Sequence, residues 1–228
     1  MWQRLRLRRL QLIAALFLLL LAGSTVLAVF HGSTKASTPR QATSVAAIPE
    51  HGMALGSARA PATLVEFADP QCPYCAQYAR QALPGLIDRW VRPGRLRLEL
   101  RLLTFIGPDS KSAARLIAAA ALQDRAWPLS DLAFLTQRRG NSGYVTAGYL
   151  RRLARATPGL DAGRALAQRG STRVEVSLRR ARQEARRLGV NATPSFYVVR
   201  PGRPPERVQP GAFTYNGVAV ALRSALQR

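Results

Sequence analysis

The residues predict a mixed α/β fold in the order strand, helix, strand, helical block, hairpin, helix. Three observations carry this. Residues 63–68 (TLVEFA) form an apolar run that Asp69-Pro70 ends and a helical segment follows. Residues 95–102 alternate strictly, with Leu96, Leu98, Leu100 and Leu102 on one face and Arg95, Arg97, Glu99 and Arg101 on the other. Residues 107–188 then read as a succession of helices before strand character returns at 190–199. The chain has 228 residues, 47% of them hydrophobic, which allows one ordinary domain with a real core plus additional segments.

The chain opens on Arg4, Arg6, Arg8 and Arg9, and residues 12–30 then carry no charge. A helix of that length reaches about 28 Å, close to the hydrocarbon thickness of a bilayer. A basic flank before an apolar stretch fits a signal anchor or a signal peptide. Residues 26–28 offer a small-residue cleavage site. The stretch is longer than a typical signal-peptide core, which favours an uncleaved, single-pass anchor through residues 12–30. Either way the arginines stay in the cytoplasm, and the rest lies in the periplasm or at the outer face. Residues 31–49 are a flexible linker rich in Ser, Thr and Ala, with a reach of about 23 Å.

The folded part starts near Glu50. Gly52, Gly56 and Pro61 read as a loop into the 63–68 strand. The next helix opens at residues 72–75 and should run to about residue 90, kinked at Pro84. Pro93-Gly94 is a turn, and 95–102 is a half-buried strand expected at a sheet edge. After Gly107-Pro108, Ser110 is the candidate N-cap of a helix over 111–124. Further helices are expected at about 129–137, 144–156, 162–168 and 172–188, the last stopped by Gly189. Its arginines (Arg173, Arg179, Arg180, Arg182, Arg186 and Arg187) read as a solvated face. Residues 190–199 and 206–209 form a hairpin, and 215–226 closes the chain as an amphipathic helix.

The chemistry-bearing residues are Cys72 and Cys75, the chain's only cysteines, in the run Cys72-Pro73-Tyr74-Cys75. Their spacing places both sulfurs in the first turn of a helix, where free N–H groups and the dipole favour an anion. A thiolate held there is a nucleophile near neutral pH, and the second thiol is close enough to attack a mixed disulfide formed at the first. A purely structural bond across so short a loop would restrain little chain entropy. Zinc would need two more ligands, and the only histidines are His31 and His51, so no metal is expected. Net charge is +22, from 34 Lys+Arg against 12 Asp+Glu, nearly all of the cations Arg. It is spread along helical periods with no nucleic-acid motif beside it, so nucleic-acid binding is not expected. The rival from another class is a membrane-tethered basic binding module without thiol activity.

Three stretches together resemble the DsbA-like thiol–disulfide oxidoreductases, in particular their membrane-anchored bacterial group: LVEFADPQCPYC at 64–75, Ser112-Ala113-Ala114, and LGVNATPSFYV at 188–198. The resemblance spans residues 52–226. It implies a thioredoxin fold, built from 50–106 and 189–228, with 107–188 inserted as a helical domain. It implies that Cys72 attacks and Cys75 resolves, and that Thr193-Pro194 is a cis-proline loop offering backbone hydrogen bonds to substrate. It implies that Glu66, six residues before Cys72, is a buried carboxyl relaying a proton to Cys75, and that Pro73 and Tyr74 tune the redox couple. No cofactor is implied. The partners would be secreted proteins with cysteine thiols and a membrane quinone-linked reoxidase of the DsbB or vitamin K epoxide reductase type. The expected activity is disulfide formation, with reduction or isomerisation as the alternative, because CPYC occurs in glutaredoxins too.

Overall fold

A computed structural model describes Val45 and residues 48–227. The anchor expected at 12–30 lies outside the described residues. Among those described, no helix is long and apolar enough to cross a membrane.

The apolar 63–68 run lies inside a six-stranded sheet. The strands are β1 (Glu50–His51), β2 (Ala54–Leu55), β3 (Thr63–Ala68), β4 (Arg97–Leu102), β5 (Ser195–Val199) and β6 (Glu206–Val208). They lie in the order β1-β2-β4-β3-β5-β6. β3 pairs parallel with β4 and antiparallel with β5, which places Leu100 and Phe196 on either side of Glu66. β3 is buried almost throughout because both its neighbours and both its faces are covered.

The helices are α1 (Pro73–Gln81), α2 (Leu83–Leu86, continued by a π-helical turn Ile87–Val91), α3 (Pro108–Ala121), α4 (Ala126–Leu135), α5 (Ala147–Ala156), α6 (Ala162–Gln168), α7 (Thr172–Arg187) and α8 (Tyr215–Gln227). One sheet face carries Leu64, Leu98, Leu100, Phe196 and Val198, and packs with buried residues of α1, α3 and α8 in the main core. The other face carries Val65, Phe67 and Tyr197, covered by Ala185 of α7 and by Val190. The Tyr197 hydroxyl donates to the Leu188 carbonyl at 2.9 Å and ties the end of α7 to β5. Gly189, with φ 66°, ends α7 as expected. The six α7 arginines are all exposed.

Five expectations need correction. The alternating strand is β4, and it is not at an edge, because β2 pairs with it antiparallel on the side away from β3. Its polar face is covered instead by α7, where Arg101 bridges Glu99 and Glu184, each at 2.7 Å. The expected loop at 52–61 contains part of a hairpin, β1–β2, too short to show alternation. The hairpin is held by the insertion: Trp127 Nε1 donates to the Met53 carbonyl at 3.0 Å, and the Gly52 N–H to Asp124 Oδ1 at 2.7 Å. Ser110 does not cap α3. The helix starts at Pro108 after Gly107, and Ser110 is buried in its first turn. Strand β5 begins only at Ser195, since residues 190–194 form the loop before it. The expected kink lies at Ala82, between α1 and α2, and Pro84 is accommodated in the first turn of α2.

Candidate active site

β3 ends where Asp69 turns the chain. Its fully buried carboxylate accepts from the Gln71 N–H (2.8 Å), the Ile106 N–H (3.1 Å) and the Ser110 hydroxyl (2.6 Å). The loop leading to Cys72 is thereby fixed to the start of the helical insertion. The insertion also grips it from the far side. Gln137 Nε2 donates to the Pro70 carbonyl at 2.9 Å and to the Cys72 carbonyl at 3.1 Å. Gln71 Nε2 donates to the Tyr144 hydroxyl at 2.8 Å, and Gln71 Oε1 accepts from the Asn141 N–H at 3.1 Å. Gly107, with φ 149°, lets Asn141 approach: a Cβ there would lie 2.5 Å from Asn141 Oδ1. The inserted helices therefore set the position of Cys72 as much as the sheet does.

Cys72 is itself the N-cap of α1, and Pro73 takes the first helical position, where a missing N–H costs nothing. The two thiols are free; Cys72 is 4% exposed and Cys75 is fully buried. The Cys72 thiol is lowered from 9.0 to about 6. The largest cause is a hydrogen bond from Cys75. Burial works against it, and the Thr193 side chain and the Cys75 and Tyr74 N–H groups add to the stabilisation. Cys75 is pushed the other way, well above 9.0, by burial and by the negative charge of Cys72. Two cysteines three apart thus hold opposite protonation states at neutral pH.

Thr193-Pro194 joins them from the loop before β5. Its peptide bond is cis, and Cys72 Sγ lies 3.1 Å from the Thr193 carbonyl, to which the thiol donates. The Thr193 hydroxyl supports the thiolate and its carbonyl receives the thiol, so one residue serves both states of the sulfur. Pro73 and Tyr74 are exposed, and the Tyr74 ring stacks at a tilt 5.9 Å from Phe213.

Glu66 sits beneath, on the sheet face that meets α1, and is 4% exposed. Burial, reinforced by the charge on Cys72, raises its carboxyl from 4.5 to about 8. It is therefore neutral around pH 7, and its charge acts on Cys75 when it ionises.

A thioredoxin family model matches residues 49–200. The chain belongs to the thioredoxin family. The probable disulfide bond formation protein D of Bacillus anthracis is 28% identical over 147 residues, which are 63% of this chain and 68% of that protein. The thiol:disulfide interchange protein DsbG of Escherichia coli is 36% identical over 77 residues, 34% of this chain and 29% of DsbG. Oxidised BdbD from Bacillus subtilis shares the fold with a TM-score of 0.67 at 21% identity, over 78% of this chain and 94% of BdbD. A thioredoxin-like oxidoreductase from Silicibacter pomeroyi matches with a TM-score of 0.60 at 26% identity, over 82% of this chain and 98% of that one.

In this thioredoxin-family chain the structure brings Cys72, Cys75, Glu66, Thr193, Pro73 and Tyr74 to one place, with Pro194 directly after Thr193. Sequence reasoning missed the clamp made by Asp69, Gln71, Ser110, Gln137 and Tyr144. Asp69 alone left a signal, as an acidic residue closing an otherwise apolar strand.

Proposed function

We propose that this thiol–disulfide oxidoreductase works outside the cytoplasm, held at the membrane through residues 12–30, as an oxidant that forms disulfides in secreted proteins. The observation that carries this reading is the split between an acidified Cys72 and a protonated Cys75. In the oxidised enzyme a substrate thiolate attacks Cys72. Cys75 leaves and takes a proton from Glu66, whose carboxyl is loaded with one below about pH 8. A second substrate thiol then attacks the mixed disulfide, and Cys72 departs as the stabilised thiolate. A membrane quinone-linked partner of the DsbB or vitamin K epoxide reductase type returns the dithiol to the disulfide.

Unfolded polypeptides suit the rim of the site. Among the described residues the exposed large hydrophobics are Tyr74, Phe105, Ile106 and Val220. Tyr74 lies between the two cysteines, next to Cys75, and Ile106 is tied to the Asp69 loop through its N–H. Exposed apolar side chains near a reactive sulfur offer contacts to apolar side chains of an incoming chain.

The direction of exchange has a thermodynamic handle. With a value of about 6, Cys72 is ionised at pH 7 and stabilises the reduced form. That is worth about 1.4 kcal/mol at pH 7, or about 30 mV toward an oxidant. It is about a fifth of the interval between thioredoxin and DsbA. Equilibrating the pair against glutathione tests the proposal. A potential above about −200 mV is expected, and one near −270 mV would make the protein a reductase instead.

A further inference from the structure

Beneath Cys75 two buried polar atoms have no hydrogen-bond partner: Glu66 Oε1 and the Tyr78 hydroxyl. Their residues are 4% and 1% exposed. Orphaned buried polar groups are rare enough to need a reason. The two flank one ring. Glu66 is the cross-strand partner of Phe196, and the Tyr78 ring lies 4.7 Å from the Phe196 ring, centroid to centroid. Tyr78 also stands three residues after Cys75 on α1, so both side chains project onto the same sheet face. The sheet neighbours of Glu66, Leu100 and Phe196, do not titrate. The titratable groups around it are Cys72, Cys75 and Tyr78, which act on one another electrostatically.

We propose that Tyr78 is a positioning residue for proton transfer, its hydroxyl stabilising the carboxylate left on Glu66 once the proton has passed to Cys75. This rests on the relay role given to Glu66 above. The step balances as follows. The substrate thiolate forms a bond to Cys72 Sγ while the Cys72–Cys75 bond breaks. The electron pair leaves on Cys75 Sγ, which takes the Glu66 proton. The products are a mixed disulfide, a neutral Cys75 thiol and a buried carboxylate. No cation among the described residues acts on that carboxylate, and the phenol of Tyr78, which feels the Glu66 charge and in this structure bonds to neither it nor any other group, is the unpartnered neutral donor on the same sheet face. The hydroxyl is separable from the packing, because a phenylalanine at this position would fill the same space against Phe196.

The test is Tyr78→Phe, alone and combined with Glu66→Gln, in the full chain. Infrared titration of the buried carboxyl in the reduced protein reads Glu66 directly. Stopped-flow attack of glutathione on the oxidised protein, followed from pH 5 to 9, reads the transfer. In Tyr78→Phe the carboxyl midpoint should rise by about one to two pH units. Attack at pH 7 should slow about tenfold, with the pH profile moving up alongside the midpoint. In the Glu66→Gln background the extra loss should vanish, since the two groups act as a unit. An unmoved midpoint and profile, or an equal loss in both backgrounds, would overturn the role of Tyr78 while leaving the relay standing. A wild-type carboxyl titrating near 4.5 would overturn the relay and this proposal with it.

Discussion

A Cys72→Ser chain loses thiol–disulfide exchange completely, both in insulin reduction and in oxidation of a dithiol peptide. A serine oxygen cannot form the sulfur–sulfur bond on which each step depends. Nor would the hydroxyl ionise in a site that brings a thiol down only to about 6. Cys75→Ser should behave differently: Cys72 still attacks a disulfide substrate, but no second sulfur releases the product, so mixed disulfides accumulate and can be weighed by mass spectrometry. That trapping should fade as pH drops, because the thiolate is the attacking form, and it should fade from a higher pH than about 6 if the serine hydroxyl fails to replace the Cys75 hydrogen bond that lowers Cys72 most. The sign is the same for stability. A depressed thiol stabilises the reduced fold fully above 9.0, and the contribution is lost as pH falls through about 6. Full exchange activity in Cys72→Ser, or no trapped species in Cys75→Ser, would sink the assignment of the two sulfurs.

How much of this was legible depended on whether the deciding interactions were local. β3, the opening of α1 and the closing α8 announce themselves through apolar period and through Pro and Gly punctuation, and these elements lie where the residues place them. Motif spacing singles out Cys72, Cys75, Glu66 and Thr193-Pro194, and these lie close together in the structure. What failed was set by distant partners. β4 alternates like an edge strand, yet β2 and α7 cover it, and two residues of β2 leave no pattern to read. Ser110 looks like a cap, but a carboxylate 41 residues earlier claims its hydroxyl. Gln71 and Gln137 are ordinary polar residues in sequence. Only the packing of the insertion makes them the clamp on the Cys72 backbone. Tyr78 reads as one more apolar position on α1, since nothing local reveals where its hydroxyl ends.

Glu66→Gln should make the reduced protein more stable and a poorer catalyst at once. The wild-type carboxyl is raised from 4.5 to about 8, chiefly by burial. A raised carboxyl adds no penalty below 4.5, an increasing one between 4.5 and about 8, and a constant one above. At pH 7 the penalty is about 3 kcal/mol, which the neutral amide avoids. Urea melts of the reduced forms should therefore nearly coincide at pH 4.5 and separate progressively up to pH 8, with the variant the more stable. The amide holds no proton to give, so attack on the oxidised variant should slow about 10²-fold, the usual scale for a lost general acid. A stability difference independent of pH would mean that Glu66 is not buried as a neutral acid. A gain in stability with no loss of rate would mean that Cys75 is protonated from elsewhere. The two readouts separate because burial and the charge on Cys72 set the first, whereas the second also requires the carboxyl to reach the leaving sulfur.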